Sequence, residues 1–168
     1  MEDFIALSLR PLDEAWLPTL RGWFPDAESC RRWGGPDFRH PFTAAGFRED
    51  LRFDDLATFG LVDEAGALLG VGQYAERWGR CHLSRLAIAP DRRGEGLGRE
   101  LIRRLASAGG DALGVETCSL FVFPDNPAAA LYRRLGFVEA ELPRGVPAPA
   151  GCRYLVAPSR RLERGDLS

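Results

Sequence analysis

The sequence predicts an α/β fold, a mixed sheet flanked by helices, on three observations. Short apolar segments with strand character occur at 5–9, 57–62 and 68–74. A strand–helix–strand–helix–strand run then fills 82–142. Each helix of that run carries one apolar stripe, which needs a sheet face to cover it.

The elements follow in order. Ile5–Leu9 alternates weakly and reads as a first strand. Asp13 is placed to cap a helix with Ala15, Trp16, Leu17, Leu20 and Trp23 on its apolar side. Residues 25–53 read as short helical stretches broken by GGP and HP, with Phe47 and Leu51 at helical spacing. Ala57–Val62 and Leu68–Tyr74 flank DEAGA and predict a hairpin. His82–Ala89 is a strand that stops at Pro90. Leu97, Leu101, Ile102, Leu105 and Ala108 recur at helical spacing, with Arg99, Glu100, Arg103 and Arg104 opposite. Thr117–Phe123 is a strand ending at Pro124. Asn126 suits an N-cap, Pro127 the first helical position, and Gly136 the C-terminal stop. Phe137–Leu142 and Cys152–Val156 read as closing strands around PRGVPAPAG.

The totals bound the function. At 168 residues the chain suits a single domain over 1–168, able to bury its core without disulfides or metals. A formal net charge of -2 offers no global field for nucleic acid or an anionic membrane, so neither is expected as a partner. All 22 basic residues are Arg and none is Lys, which excludes a Schiff-base lysine and a Walker-type phosphate lysine. Cys30, Cys81, Cys118 and Cys152 lie far apart with no CxxC pair, arguing against structural zinc or a redox motif, and no metal is expected. The N-terminus is acidic at once and turns polar quickly, unlike a signal peptide, and no apolar run approaches a membrane span of roughly 18 residues. A cytoplasmic protein is the expectation.

The stretch LAIAPDRRGEGLGRELI carries the chemistry. A strand ends at Ile88–Ala89, and a helix starts within GEGLG after a short turn. Gly94, Gly96 and Gly98 remove side chains where the backbone turns into the helix, so a large anion can reach the N–H groups. The helix dipole favours negative charge there, and Arg93 and Arg99 add positive charge. RRGEGLG does not fit GxGxxG, and the missing GK[ST] excludes a P-loop.

A second segment, DNPAAALYRRLGF, joins it. Together they resemble the GNAT N-acetyltransferase superfamily. Its Arg/Gln-x-x-Gly-x-Gly/Ala motif is matched by Arg93, Gly96 and Gly98, and its Leu-Ala-Val strand by Leu86, Ala87 and Ile88. Its downstream Asn…Leu-Tyr-x-x-Leu-Gly-Phe is matched by Asn126, Leu131, Tyr132, Leu135, Gly136 and Phe137. In the family pattern the Asn lies seven residues before the Tyr; here Asp125 holds that place and Asn126 lies six before, so either can take the role.

The resemblance implies a mixed, mostly antiparallel central sheet with a splayed parallel strand pair, 82–89 and 117–123, flanked by helices. It implies acetyl transfer from acetyl-CoA to a primary amine by direct attack. The pantetheine arm would pair with Leu86, Ala87 and Ile88, and the pyrophosphate would meet the N–H groups of Gly94, Glu95, Gly96, Leu97, Gly98 and Arg99, with Arg93 and Asn126 beside the cofactor. Tyr132 falls at the family's proton donor to the leaving sulfur. His82 stands where the histone-modifying members carry a Glu base, and strand alternation would set His82, Ser84 and Leu86 on one face. Glu76 and ordered water are the other candidates for the base.

The acceptor is expected between the irregular N-terminal segment, with Trp33, Phe38, Arg39 and His40, and the Pro-rich loop 143–151; helix packing is the competing role for those four residues. A small-molecule amine and a protein amine both remain open, and a homodimer is an assembly the resemblance allows. The alternative function is a non-catalytic acyl-CoA-binding regulatory module.

Overall fold

A computed structural model of the chain describes residues 6–149 and 151–164. Strands β1 (Ser8–Pro11), β2 (Ala57–Val62), β3 (Leu68–Arg77), β4 (Arg80–Ile88), β5 (Thr117–Val122), β6 (Val138–Glu139) and β7 (Arg153–Pro158) form a sheet in the order β1-β2-β3-β4-β5-β7-β6. The helices are α1 (Leu17–Arg21), α2 (Ala27–Gly34), α3 (Ala44–Leu51), α4 (Leu97–Leu113), α5 (Ala128–Leu135) and α6 (Ser159–Arg164). β1 runs antiparallel to β2, and β7 antiparallel to both β5 and β6, whereas β4 and β5 are parallel. This is the mixed, mostly antiparallel sheet with one parallel pair that the sequence leads one to expect.

The chain forms two compact units. The first takes the chain up to Gln73 together with Arg85–Leu101; the second takes Tyr74–Ser84 and everything from Ile102 onward.

In the first unit the core gathers Leu20, Phe24, Cys30, Phe47, Leu51, Val62 and Val71, with the Trp33 ring stacked on Phe24 at 4.0 Å. The helix expected from Asp13 to Trp23 is divided. A 3-10 turn at Glu14–Trp16 precedes α1, and Asp13 Oδ1 accepts the Ala15 N–H at 2.9 Å. Pro18 explains the break: a continuous helix would need its missing N–H to bond Glu14. The segment expected to be irregular holds two capped helices. Asp26 accepts from the Ser29 N–H and Thr43 from the Gly46 N–H; the first of these helices ends at Gly35 with φ 94°, the second at Arg52 in the left-handed conformation. Gln73 is fully buried; its Nε2 donates to the Leu51 carbonyl (2.7 Å) and to Thr58 Oγ1 (3.0 Å), tying α3, β2 and β3 together. The first strand begins later than expected, at Ser8; Ile5, and residues 1–5 of the N-terminus read against a signal peptide, lie outside the described residues.

In the second unit β3 and β4 meet in a two-residue turn, Trp78–Gly79, with both residues at positive φ (53° and 76°). The parallel ladder joins Cys81 to Cys118 and His82 to Ser119 at the start of both strands. β7 lines β5 along its whole length, from Thr117↔Pro158 to Val122↔Arg153. The closing strand expected at 137–142 is only Val138–Glu139, prolonged by the Ala140 N–H bond to the Tyr154 carbonyl. Pro143 and the Pro-rich run beyond it cannot donate to a ladder, which ends the strand early. α6 follows β7 directly and was not anticipated.

Candidate active site

The first unit supplies the glycine-rich corner. β4 ends at Ile88, and Ala89 donates its N–H to the Leu69 carbonyl at 2.8 Å. Gly70 on β3 lets the neighbouring strand come close: a Cβ there would lie 3.0 Å from the Ala87 carbonyl and 2.9 Å from Ile88 Cδ1. Leu86, Ala87 and Ile88 are half-buried. A 3-10 turn at Pro90–Arg92 leads into the loop, and α4 starts at Leu97 and runs 17 residues.

Gly94 and Gly96 hold positive φ (81° and 82°), a conformation that side chains resist. Nothing lies within 4 Å of a Cβ built on Gly94, so the backbone faces open space. The first N–H groups of α4 have no intrahelical acceptor and carry the positive end of its dipole. Arg93 is exposed beside them and Arg99 is half-buried in the first turn. Glu95 does not oppose an anion with a bare charge, because Arg92 clamps its carboxylate at 3.0 Å (Nε to Oε2) and 3.1 Å (Nη2 to Oε1). That ion pair also braces the loop across three residues. The corner therefore fits the pyrophosphate that the sequence motif implies: open glycine backbone, the positive end of a long helix and an exposed guanidinium.

His82, Asn126 and Tyr132 belong to the second unit. Tyr132 lies on α5, only 7% exposed, with its ring 5.9 Å from that of Phe137. Burial pushes its hydroxyl up to about 12, so it keeps its proton through the neutral range. Gly136 ends α5 at φ 111° and hands its N–H to the Arg133 and Tyr132 carbonyls, which fixes the turn behind the tyrosine. Asn126 accepts the Ala128 N–H on Oδ1 at 2.9 Å, with Pro127 already in helical conformation. Its side chain thus does the capping work read from the sequence.

His82 is 4% exposed, and its Nδ1 lies 2.9 Å from Ser119 Oγ. Phe121 and Trp78 meet the imidazole edge-on at 5.0 and 6.0 Å. The expected alternation of His82, Ser84 and Leu86 is interrupted, because Arg85 between them takes φ 49°, out of the strand region. Arg85 donates to Gln73 Oε1 at 3.0 Å and lies over the Phe38 ring at 5.5 Å.

Residues 27–137 match the family model described as the acetyltransferase (GNAT) family. The chain belongs to that family. It is 35% identical over 132 residues to a mycothiol acetyltransferase of Salinispora arenicola (strain CNS-205), a match covering 74% of this chain and 41% of that protein. The chain thus spans well under half the length of this curated relative. Among solved structures it is similar to spermidine N-acetyltransferase from Vibrio cholerae in complex with CoA and spermine, with a TM-score of 0.70 and 20% identity over 94% of this chain and 98% of that one. A spermidine/spermine N-acetyltransferase of Vibrio cholerae in complex with manganese ions matches with a TM-score of 0.65 and 20% identity, over 96% and 98% of the two chains. At such identity the likeness is one of fold.

As a GNAT chain it carries features that the motifs did not point to. The second unit holds an open cleft of about 510 Å³ lined by Glu76, Arg77, Trp78, Phe121, Pro147 and Pro149. Of these the sequence reading had singled out Glu76 and the Pro-rich loop; Trp78 and Phe121 were missed. Of the four residues set beside the acceptor, Trp33 and Phe38 pack in the aromatic core, with ring centroids 5.0 Å apart, and His40 meets Phe42 edge-on at 5.0 Å. Arg39 binds Asp50 and Glu49. Among the described residues no helix is long and apolar enough to cross a membrane.

Proposed function

We propose that this GNAT chain moves an acetyl group from acetyl-CoA to a primary amine by direct attack. The observation that carries the reading is the open glycine corner at 94–99, with exposed Arg93 at the head of the 17-residue helix α4. Acetyl-CoA supplies an activated thioester when bound. Arg93, Gly94, Glu95, Gly96, Leu97, Gly98 and Arg99 would hold its pyrophosphate, and Leu86, Ala87 and Ile88 its pantetheine amides.

Transfer requires the amine to shed a proton and the leaving sulfur to gain one. Alkyl amines hold their proton to a pH of about 10, so the reactive form is scarce at neutrality without help. Tyr132 is proposed as the donor facing the sulfur. With its hydroxyl raised to about 12 it does not ionise, and it meets developing thiolate charge as a hydrogen-bond donor. His82 is proposed as the base, with Glu76 and ordered water as its competitors. The acceptor is a small-molecule or protein amine; in the relatives the names are those of spermidine and mycothiol enzymes.

The test is free-thiol release from acetyl-CoA over a panel of amines, with wild type and Tyr132→Phe compared in single turnover. The expected result is amine-dependent release, slowed roughly 10²-fold in the variant at unchanged acetyl-CoA affinity. Near-normal transfer by the variant removes Tyr132 from the mechanism. Tight acetyl-CoA binding with no turnover on any amine would make the chain an acyl-CoA-binding module instead.

A further inference from the structure

The cleft at the β3–β4 turn has a composition that selects among amines. Trp78 and Phe121 form its aromatic wall, with centroids 6.1 Å apart, and both rings meet Tyr154, at 5.9 and 5.4 Å. Pro147 and Pro149 close the other side. His82 and Tyr154 brace the wall: each meets both Trp78 and Phe121, with centroids 5.0–6.0 Å apart.

Two charges stand at the rim. The Glu76 carboxylate is exposed and held by the turn, since its Oε1 accepts the Gly79 N–H at 2.8 Å. The Arg77 guanidinium is exposed and lies over the Trp78 ring, 5.5 Å from its centroid. A third charge lies close by: Arg80 donates to the Tyr154 hydroxyl at 3.0 Å and sits 5.8 Å from that ring.

This charge pattern disfavours a polycation. An amine with three or four positive charges would bring them to one carboxylate and two guanidiniums, and Arg77 already covers the indole face that could serve as a cation–π surface. A molecule with one ammonium and one carboxylate matches the adjacent Glu76 and Arg77, and an apolar or aromatic side chain matches the ring wall. We propose that this cleft is the acceptor's recognition subsite and that it takes a zwitterionic amine, an amino acid with an apolar or aromatic side chain, with Arg77 reading the carboxylate and Glu76 the ammonium. The proposal rests on the acetyltransferase reading above and narrows its acceptor.

The experiment compares phenylalanine, phenethylamine, which lacks only the carboxylate, and spermidine as acceptors with acetyl-CoA. Calorimetric binding of phenylalanine to the CoA-loaded protein is measured alongside, in wild type and Arg77→Gln. The expected kcat/KM for phenylalanine exceeds that for phenethylamine and for spermidine by tenfold or more. Arg77→Gln should raise the KM for phenylalanine at least tenfold, with a smaller change in kcat, and bring the phenylalanine-to-phenethylamine ratio close to one. Preference for spermidine or phenethylamine overturns the proposal, as does a ratio that survives Arg77→Gln. If no amine is acetylated but phenylalanine binds wild type and not the variant, the catalytic reading falls and the subsite stands. If phenylalanine neither binds nor reacts, the subsite falls, whether or not other amines are acetylated.

Discussion

One methyl group at Gly94 separates a cofactor cradle from a turn that merely needs glycine. Gly94 has φ 81°, and Gly66, in the β2–β3 hairpin, has φ 86°. A Cβ at either position meets nothing within 4 Å. Gly94→Ala and Gly66→Ala should therefore carry the same backbone cost, about 1–2 kcal/mol, with no packing change. The two should melt a few degrees below wild type and close to each other. They should part on coenzyme A. Charge-assisted hydrogen bonds are worth about 1.5–3 kcal/mol, and a methyl on Gly94 occupies space that a phosphate oxygen needs to reach the N–H groups. Losing one such bond raises Kd about 10- to 100-fold, whereas Gly66→Ala should leave Kd unchanged. Calorimetric titration with coenzyme A reads both. A Gly94→Ala Kd within twofold of wild type, or an equal loss in Gly66→Ala, would refute the assignment of this corner to the pyrophosphate.

Three further outcomes are expected. Gly136→Ala should destabilise by about 3 kcal/mol in urea unfolding: φ 111° strains any side chain, and the new Cβ displaces Arg161, whose Nε donates to the Leu135 carbonyl at 3.1 Å. Stability should fall as pH rises from 9 to 12, because burial pushes the Cys30 thiol up to about 11 and the Tyr132 hydroxyl up to about 12. The unfolded chain releases those protons first, from 9.0 and 10.0, so each group costs about 2–3 kcal/mol across its interval; Cys30→Ala should flatten the drop between pH 9 and 11, and an unchanged slope would contradict the assignment. His82→Ala should remove an ionisation from the pH profile of kcat/KM, and Ser119→Ala should shift that ionisation without abolishing it; a profile indifferent to His82→Ala assigns the base to Glu76 or water.

The parts of the fold that local chemistry dictates were legible. α4 declares itself by its apolar period and α5 by its caps, Asn126 at the start and Gly136 at the stop, whereas the parallel β4–β5 pair was expected from the family resemblance. The glycine turn was legible as a candidate site only together with DNPAAALYRRLGF, because a bare GxG at a helix start is common. The β3–β4 hairpin was not, since a bulky Trp78 at φ 53° is a rare choice for a two-residue turn and no local preference announces it. Arg85 escaped for the same reason: a positive φ inside a strand is imposed by its surroundings, here Gln73 and Phe38, both distant in sequence. The cleft depends on Trp78, Phe121 and Pro147, brought together by three separate elements, so no motif could contain it.

The bond between His82 and Ser119 decides which proton chemistry the imidazole can offer. If the Ser119 hydroxyl donates to Nδ1, the ring proton sits on Nε2, and that nitrogen can only donate. If Nδ1–H donates to Ser119 Oγ instead, Nε2 carries the lone pair that a base requires. The contact itself, 2.9 Å, suits either arrangement. Trp78 and Phe121 meet the ring edge-on, and the Ser119 hydroxyl is one group that bears on its tautomer. Under the proposal that His82 is the base, Ser119 is a positioning residue, reaching the imidazole from the neighbouring parallel strand at the last paired rung of the β4–β5 ladder. A carboxylate at this place would need no such partner, because both its oxygens accept. Removing the Ser119 hydroxyl therefore tests the proposed base, His82, without touching the imidazole itself.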